Sequence, residues 1–347
     1  MLAAELKAHH DRAQASGRAN VTTCLAHWGI ERGPFEVLID RLSEAAGPIY
    51  YVSTVPRGQA GSTSDLDVIV VSNSDEAPSM SNMLFHMGRR VGAKVAPRPL
   101  IEKSIGILAD AVRQSEPPLS GDPRAVRARL PIKWVDLERL VNGVSFAEDN
   151  AFLSALPVLS VCQQQISLED YVRHRAALRL ACGVHGGSNA YLSLALMAAM
   201  DAVMAACGRV QSNAKWTFVR WARFLEECTQ RSLIERLAPI NSVWSVLERS
   251  KQCPPEMLDA VDHLLEGLFG NIPDDAGSIA LVDGVHMSQF LPGAICIGDA
   301  GRTVIMRGET PEALHLAMQR RGGAGASISD RDLLRVVQHG LADFEGR

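Results

Sequence analysis

The sequence lacks the features that mark secreted or disulfide-stapled proteins. Its seven cysteines show no C-x-x-C spacing, and their odd number prevents complete internal pairing. We therefore expect reduced thiols in a cytoplasmic protein. The segment Met1–Arg18 has no continuous apolar stretch, which predicts that it is not a secretory signal peptide. The most apolar run, Ala190–Cys207, contains Ser193 and Asp201, so a buried bundle helix is expected rather than a membrane span.

An excess of charge of one sign is also missing. The formal net charge is −4 and the isoelectric point is near 6.2, which argues against a broad basic footprint for duplex nucleic acid. A total charge does not report a local basic groove, so that alternative stays open. A nucleotide or small-molecule substrate fits this balance better, and a homodimer is one option for the oligomeric state.

What the chain does have is length and apolar content. With 347 residues, 47% of them hydrophobic, it can bury a substantial core and form two or three domains. A polar, proline-containing stretch at Gln114–Pro131 predicts the first boundary. We expect an α/β domain over residues 1–120, a helical bundle over 121–270 and a small α+β module over 271–347.

The first of these regions alternates between helical and extended patterns. Apolar spacing predicts a helix over Pro34–Ala46, and two β-rich runs, Ile49–Val52 and Leu66–Val71, bracket a loop of glycines and hydroxyls. A third strand is expected at Ala93–Leu100, where prolines confine it to an edge or end it early. The spacing also predicts helices at Met80–Val91 and Ile101–Gln114.

The last region mixes short strands and helices. Strands are expected at 279–282, 294–297 and 303–306, followed by helices at 311–321 and 330–341.

Two carboxylates stand out in the first region. Asp65 and Asp67 are spaced i, i+2 where the second β-rich run begins, so both side chains are expected on one face of a sheet. Carboxylates beside a loop of small and hydroxyl residues can hold Mg²⁺ while the loop cradles phosphates. An isolated D-x-D is also common as a strand-entry cap followed by a surface acid, and that reading is the simpler alternative.

The segment resembles the G-S-x-x-x-G-x-x-x-x-x-S-D-x-D signature of the polymerase-β-like nucleotidyltransferases, in particular the minimal and antibiotic-modifying types. By this resemblance Ser53 corresponds to the motif serine, Arg57-Gly58 to the Arg-Gly step, and Ser64-Asp65-Leu66-Asp67 to the Ser-Asp-x-Asp step. The resemblance implies a mixed-sheet nucleotidyltransferase-like domain. It also implies that Asp65 and Asp67 bind Mg²⁺. A nucleoside triphosphate, with ATP as the expected one, would be bound by the serines and the Arg-Gly step.

The sequence departs from that signature at three places. Val52 stands where the family has its first glycine, and one extra residue, near Pro56, separates the serine from Arg57. Relatives carry a further carboxylate on the next strand, whereas here Lys94 to Leu100 contains none and Glu102 is the nearest candidate.

A fainter resemblance extends into the helical region. Asp201, followed by the Lys215-Trp216 step, is similar to the C-terminal domains of lincosamide-type nucleotidyltransferases. The resemblance implies that Lys215 reaches a phosphate and that Asp201 assists the acceptor as base or orienting group. The alternative is an ordinary amphipathic helix in which Trp216 packs inward and Lys215 stays in water.

Together these patterns predict a cytoplasmic, Mg²⁺-dependent enzyme that transfers a nucleoside monophosphate to a small-molecule acceptor, such as an aminoglycoside-like compound or another secondary metabolite, and releases pyrophosphate. A second reading is nucleotidylation of a protein or an RNA end. The rival from another class is a catalytically weakened domain that binds nucleotide as a sensor or regulatory module. Neither a membrane nor a nucleic-acid partner is expected.

Overall fold

The structure is a computed structural model of the whole chain. It describes residues 2–45, 47–74, 81–113, 123–181, 188–211, 217–249 and 255–270, together with 272, 279–281, 285–291, 294–298, 303–307, 314, 318, 336–337 and 342–344. Within these residues the protein is mixed α/β with more helix than strand. It divides into two compact units, residues 1–166 with 201–230, and residues 167–200 with 231–347.

A five-stranded mixed sheet forms the centre of the first unit. Its strands stand in the order β3-β4-β2-β1-β5. β2 and β4 run parallel, and the other neighbouring pairs are antiparallel. The predicted hairpin of two strands around a small-residue loop is confirmed in β1 and β2. The strands are β1 Ile49–Val52, β2 Leu66–Ser72, β3 Ser81–His86, β4 Arg89–Pro97 and β5 Val144–Ser145.

Helices cover both faces of this sheet, so its central strands are buried on both sides. One face, with Tyr51, Val68 and Val70, packs on the first two helices. The other face carries Tyr50 and Ile69 and packs on the helices that follow the sheet. The helices of this unit are α1 Leu2–His27, α2 Arg32–Ser43, α3 Arg98–Arg113, α4 Pro123–Ala128, α5 Trp134–Val141, the start of α6 Leu156–Ala181, the end of α7 Ser188–Ala206, and α8 Thr217–Glu227.

The helix predicted over Met80–Val91 is wrong. The described part of this stretch is the β3–β4 hairpin, which turns at Met87 and Gly88, both with positive φ (49° and 72°). Two consecutive left-handed residues suit the tight turn that joins twisted antiparallel strands. Pairing with β4 decides the conformation of this short amphipathic segment, because local propensity is weak there.

The third predicted strand exists but extends further than expected. β4 begins at Arg89, ends at Pro97 and lies inside the sheet between β3 and β2, instead of at an edge. Proline ends the strand as predicted, because its missing N–H removes a ladder hydrogen bond.

The boundary predicted near residue 120 lies inside the first unit. Trp134 and Leu137 of α5 and Phe152 of a 3₁₀ turn, Ala151–Ala155, are buried in the same core as Tyr50 and Ile69. The chain beyond the polar stretch therefore completes the core of the sheet domain, and the helical region does not begin as a separate body there.

The second unit contains helices and two small sheets. β7, β8 and β9 form an antiparallel meander, and β10 pairs with β6. The three predicted strands are confirmed, while β7 and β10 were not foreseen. Most of the helices predicted at 311–321 and 330–341 lies outside the described residues. The elements are α9 Arg231–Arg236, α10 Ala238–Arg249, a 3₁₀ turn Pro255–Leu258, α11 Asp259–Phe269, β6 Ile279–Leu281, β7 His286–Leu291, β8 Ala294–Gly298, β9 Thr303–Arg307 and β10 Ala342–Phe344.

A buried polar contact joins two helices of this second unit. Arg175 on α6 and Tyr171 one turn before it both donate to Asp262 Oδ1 on α11, each at 2.6 Å. Burial and the neighbouring carboxylate raise the pKa of Tyr171. The charge pair is therefore satisfied inside the bundle, as a buried arginine requires.

Two helical stretches among the described residues, Ala151–Arg179 and Asn189–Ala206, are long and apolar enough to cross a membrane by length and composition alone. More than half of each apolar window is buried within the protein, and each helix carries an ion-paired side chain, Arg175 and Asp201. Core helices of a soluble protein have these properties.

We predict that Leu137→Ala lowers the free energy of unfolding by about 2–5 kcal/mol, because it opens a cavity between α5 and the sheet. Denaturant titration followed by circular dichroism measures the change. Val37→Ala on α2 is the matched control, since Val37 is 51% exposed and loses little contact. Equal effects of the two substitutions would contradict the packing of α5 on the sheet.

Candidate functional site

The two aspartates lie at the start of β2, beside the loop that follows β1. Asp67 is opposite Val52 on β1 and opposite Gly92 on β4. Residues opposite each other in a sheet point to the same face, so Asp67 shares the face of Ile69 that packs on α3 and α5. Asp65 precedes the strand by one residue. Both carboxylates are partly exposed, at 46% for Asp65 and 26% for Asp67, so solvent reaches them.

Gly92 leaves the space that the Asp67 carboxylate occupies. A Cβ on Gly92 would lie 2.6 Å from Asp67 Oδ1, a separation that real contacts do not allow. Any other residue at this position on β4 would displace the carboxylate. The glycine in the middle of a strand, which weakens strands in general, is therefore explained by the close approach of Asp67.

The loop between β1 and β2 is held by three kinds of contact. Val55 is fully buried in the core against α1 and α2. The carbonyl of Pro56 accepts from Asn20 Nδ2 at 3.0 Å, and the carbonyl of Gly58 accepts from Arg223 at 2.7 Å. Gly58 has a φ of 64°, and its N–H donates to the carbonyl of Val55. The extra residue near Pro56 is thus accommodated in a closed turn anchored on α1 and α8.

Ser53 begins this loop in a strained conformation. Its φ is 65°, which is uncommon for a residue other than glycine. Its Oγ is buried and has no hydrogen-bond partner among the described residues. Such an unsatisfied hydroxyl costs free energy unless a ligand or water meets it. Val52, where the resemblance expects a glycine, is buried in the core, so the turn begins one residue later.

Ser64 closes the other end of the loop. Its hydroxyl accepts from the N–H of Gly61 at 2.8 Å, and its own N–H donates to the carbonyl of Gly61. Among the described residues no acceptor meets the hydroxyl hydrogen of Ser64, so a ligand oxygen can accept it.

Helix α5 crosses the aspartate face of the sheet and contacts successive strands. Asp136 accepts from Lys94 of β4 at 2.7 Å, and Arg139 comes within 3.8 Å of Asp67 Oδ2 on β2. At the end of the helix, the Cα of Gly143 lies so close to β1 that a Cβ there would be 3.0 Å from the carbonyl of Tyr51. The helix therefore delivers charged side chains to the strand that carries Asp67.

Arg57 does not point to solvent. It donates to Glu138 of α5 at 2.8 Å and to Gln211 at 2.6 Å. Glu138 is buried, so this pair anchors the loop to α5. The resemblance assigns Arg57 to nucleotide binding, and the observed contacts give it a part in positioning the loop.

Asp201 is held in a similar way. It accepts from Arg220 and from the Thr217 hydroxyl on α8. Burial lowers the pKa of Arg220 and the nearby Arg57 lowers it further, whereas Asp201 and Glu138 raise it. The two buried ion pairs are thus close enough to interact, and this places Asp201 in the same charge network as Arg57, which anchors the loop.

The remaining predicted residues are not brought to this site by the described contacts. Glu102 is exposed on α3. Its neighbour Ile101 lies on the face of this helix that packs into the core. Lys215 and Trp216 lie outside the described residues.

Several arginines at the site were not foreseen. Arg90 lies 3.9 Å from Asp65 Oδ2, and Arg89 donates to the carbonyl of Ser62. Arg139 and Arg223 add two more cations around the loop. The apolar spacing predicts a helix for Arg89 and Arg90, whereas pairing in β4 places Arg90 beside Asp65.

His9 lies near a different set of cations, which includes Arg57. Burial, together with Arg209, Arg57 and Arg12, lowers the pKa of His9 to about 3. The imidazole is therefore neutral at physiological pH, and its protonation would place another cation beside Arg57.

The fold and the site define an α/β protein with two neighbouring carboxylates at the end of a sheet hairpin, bordered by arginines. The chain belongs to the family described as "Family of unknown function (DUF6001)", whose model matches residues 10–340. No curated protein matches it.

We predict that Gly92→Ala displaces the Asp67 carboxylate, because the new methyl group would occupy its position. A crystal structure of the variant checks this. Gly106→Ala on α3 is the control: nothing lies within 4 Å of its added Cβ, so it should raise the unfolding free energy by about 0.5–1 kcal/mol. The close packing would be refuted by an unmoved Asp67 in the Gly92→Ala structure.

We also predict a pH dependence that involves His9. Because its folded pKa, about 3, is below the ordinary value of 6.5, the unfolded chain binds a proton that the folded protein does not. Stability should therefore fall as the pH drops from about 6.5 towards 3, and less steeply in His9→Gln. Denaturant titrations across this range measure the difference. An imidazole that titrates near 6.5 by NMR in the folded protein would contradict the prediction.

Proposed function

We propose that the protein is a cytoplasmic, Mg²⁺-dependent nucleotidyltransferase of the polymerase-β-like type. It transfers a nucleoside monophosphate to a small-molecule acceptor, with ATP as the expected donor. The observation that carries the proposal is the β1–β2 hairpin. It combines the buried, unpartnered Ser53 hydroxyl, the closed turn at Gly58, and Asp67 in the space above Gly92. The resemblance of residues 53–67 to the family signature supports the same reading.

The carboxylate oxygens of Asp65 and Asp67 suit Mg²⁺, which keeps water and substrate ligands, better than a metal ion whose ligands all come from the protein. Asp65 and Asp67 supply hard oxygen ligands that solvent reaches. Among the described residues there is no group of three or more His, Cys, Asp or Glu placed to hold a metal. Mg²⁺ in such sites is typically bound through one or two carboxylates, with substrate phosphates and water completing the octahedron. When bound, it would neutralise charge that develops on the phosphates.

The loop supplies the groups for phosphate. The hydroxyls of Ser53 and Ser64 lie at its two ends. The Ser64 hydroxyl can donate to a phosphate oxygen, and the buried Ser53 hydroxyl would do so once the loop moves to uncover it. Arg90 and Arg139 stand 3.9 and 3.8 Å from the carboxylates, longer than charge-assisted hydrogen bonds of 2.7–2.9 Å. These loose pairs leave both guanidinium groups able to turn to a phosphate. Positioning and charge neutralisation are most of what phosphoryl-type transfer needs from a protein.

Arg57 and Asp201 have supporting roles in this proposal. Arg57 positions the phosphate loop through Glu138, and Asp201 keeps Arg220 charged beside that pair. Both ion pairs are buried, so breaking either would leave an uncompensated charge next to the loop. For Asp201 to act as a base on the acceptor, it would first have to leave Arg220. Glu102 and Lys215 remain candidates from the resemblance alone.

A second candidate function is nucleotide binding without efficient transfer, as a sensor or regulatory module. It is favoured by the composition of β4 beside Asp67. Gly92 lies opposite Asp67, and the next residue on that face is Lys94, which is paired with Asp136. The strand on which relatives carry a further carboxylate thus presents a cation here, and proton removal from the acceptor loses a base.

We predict that the double variant Asp65→Asn/Asp67→Asn loses Mg²⁺-dependent binding of a non-hydrolysable ATP analogue, because its amides cannot neutralise the metal. Isothermal titration calorimetry with and without Mg²⁺ measures the affinity. Asp110→Asn is the control, since Asp110 is an exposed carboxylate on α3 paired with Arg113. Loss of at least about tenfold in affinity, or 1.4 kcal/mol, is expected for the double variant alone.

Equal affinities for the wild type with and without Mg²⁺, or for the wild type and the double variant, would refute the proposed site. Where binding follows the expectation, Mg²⁺-dependent release of pyrophosphate from ATP in the presence of a panel of hydroxylated acceptors separates the two functions. Turnover supports the transferase, and binding with no pyrophosphate release supports the sensor.

A further inference from the structure

The β3–β4 hairpin exposes large apolar side chains in a row. Met83, Phe85 and Met87 are 55%, 79% and 64% exposed. Single exposed hydrophobic residues are normal on protein surfaces, whereas contiguous ones mark interaction sites. Met83 and Phe85 alternate along β3 and thus share one face, and Met87 stands at the turn that ends the strand.

This face is the one that carries the aspartates. Met83 is opposite Gly92 of β4, and Gly92 is opposite Asp67 of β2. One row across the sheet therefore reads Met83, Gly92, Asp67. In the adjacent row Phe85 is opposite Arg90, which in turn lies 3.9 Å from Asp65.

The missing side chain of Gly92 joins the two halves of the face. The position of a Cβ on Gly92 would be 4.0 Å from the terminal methyl group of Met83 and 2.6 Å from Asp67 Oδ1. A methionine and a carboxylate thus both lie next to Gly92. The Arg90 guanidinium donates to the Met83 sulfur at 3.1 Å, which holds Met83 in this position.

The charge around this face selects among ligands. Arg90 and Arg139 contact the aspartates, and Arg223 contacts the loop, whereas Arg89 lies over Trp28 on the opposite face of the sheet. A polycationic acceptor would be repelled by this group, whereas a neutral or anionic molecule would be attracted. An aromatic or aliphatic body would gain from Phe85 and Met83, since aromatic rings and methionine bind planar apolar groups.

We propose that the face formed by Met83, Phe85 and Met87, with Arg90 beside it, binds the acceptor. The acceptor is then a neutral or anionic molecule with a planar apolar body and a hydroxyl group, instead of an aminoglycoside. This inference rests on the proposed nucleotidyltransferase function and names the substrate class of that site. The phosphates occupy the β1–β2 loop on one side of the carboxylates, so the incoming nucleophile approaches from the β4–β3 side.

The transfer balances without a further reactant. The acceptor oxygen forms a bond to the α-phosphorus, and the bond from this phosphorus to the bridging oxygen of the β-phosphate breaks. Pyrophosphate leaves with that electron pair, and the proton of the acceptor hydroxyl passes to solvent. An in-line arrangement of attacking and leaving oxygens places the acceptor opposite the pyrophosphate.

The test uses 6-hydroxy-2-naphthoate, an anionic planar probe that carries a hydroxyl group. Its fluorescence is titrated with full-length wild-type protein and with Phe85→Ser, each with Mg²⁺ and the non-hydrolysable ATP analogue. Val37→Ser on α2 is the matched control, because it removes a similarly exposed apolar side chain away from this face. The dissociation constant is expected to rise about tenfold in Phe85→Ser and to stay unchanged in Val37→Ser.

Separate titrations of the nucleotide distinguish the two failures. Unchanged nucleotide affinity in Phe85→Ser, together with the loss of probe binding, supports the acceptor face. A wild type that does not bind the probe, or a Phe85→Ser variant that binds it equally well, overturns the acceptor face and leaves the nucleotide site intact. Probe binding without any Mg²⁺-dependent nucleotide binding overturns the proposed function and the acceptor role with it. A dimer by light scattering that Phe85→Ser converts to monomer assigns the face to a second copy and overturns the proposal.

Discussion

The candidate site depends on the packing of α5 across one face of the central sheet. The helix buries Trp134 and Leu137 against the strands, and the same helix turns bring Asp136, Glu138 and Arg139 to Lys94, Arg57 and Asp67. Burial of these apolar side chains stabilises the position of the helix. The ion pairs then form between side chains that are already held close together. Because these pairs join the helix to β4, to the loop and to β2, a shift of α5 would disturb all three.

The loop shows how a departure from a family pattern can be absorbed. Val52 belongs to the core, so the chain cannot turn there, and the strained backbone appears at Ser53 instead. The following turn contains one more residue than the signature and is closed by Gly58, by Asn20 of α1 and by Arg223 of α8. An outlying backbone conformation with an unpartnered hydroxyl is typical of sites where strain is retained for binding.

The exposed end of the sheet has a charged part at the β1–β2 hairpin and an apolar part at β3. Carboxylates and hydroxyls lie at the hairpin, and arginines surround them, which suits a metal and a polyanion. Methionine and phenylalanine lie two strands away on the same face, which suits an apolar body. The overall charge of −4 does not reveal this local grouping of arginines around two carboxylates, because a total charge carries no information on position.

The sequence by itself determined the β1–β2 hairpin, the positions of Asp65 and Asp67 at its second strand, α2, α3 and three strands near the C-terminus. Alternation of side chains and glycine-rich turns are local properties, so a short segment is enough to predict a strand or a turn from them. It misassigned β3, whose short amphipathic pattern suits a helix and a strand equally until β4 pairs with it. Only the tertiary structure decided that Gly92, Arg90 and Arg139 border the aspartates, and that Arg57 and Asp201 are engaged in buried ion pairs. The physical reason is that strand order and helix crossing bring together residues far apart in sequence, and no periodicity within one segment records those contacts.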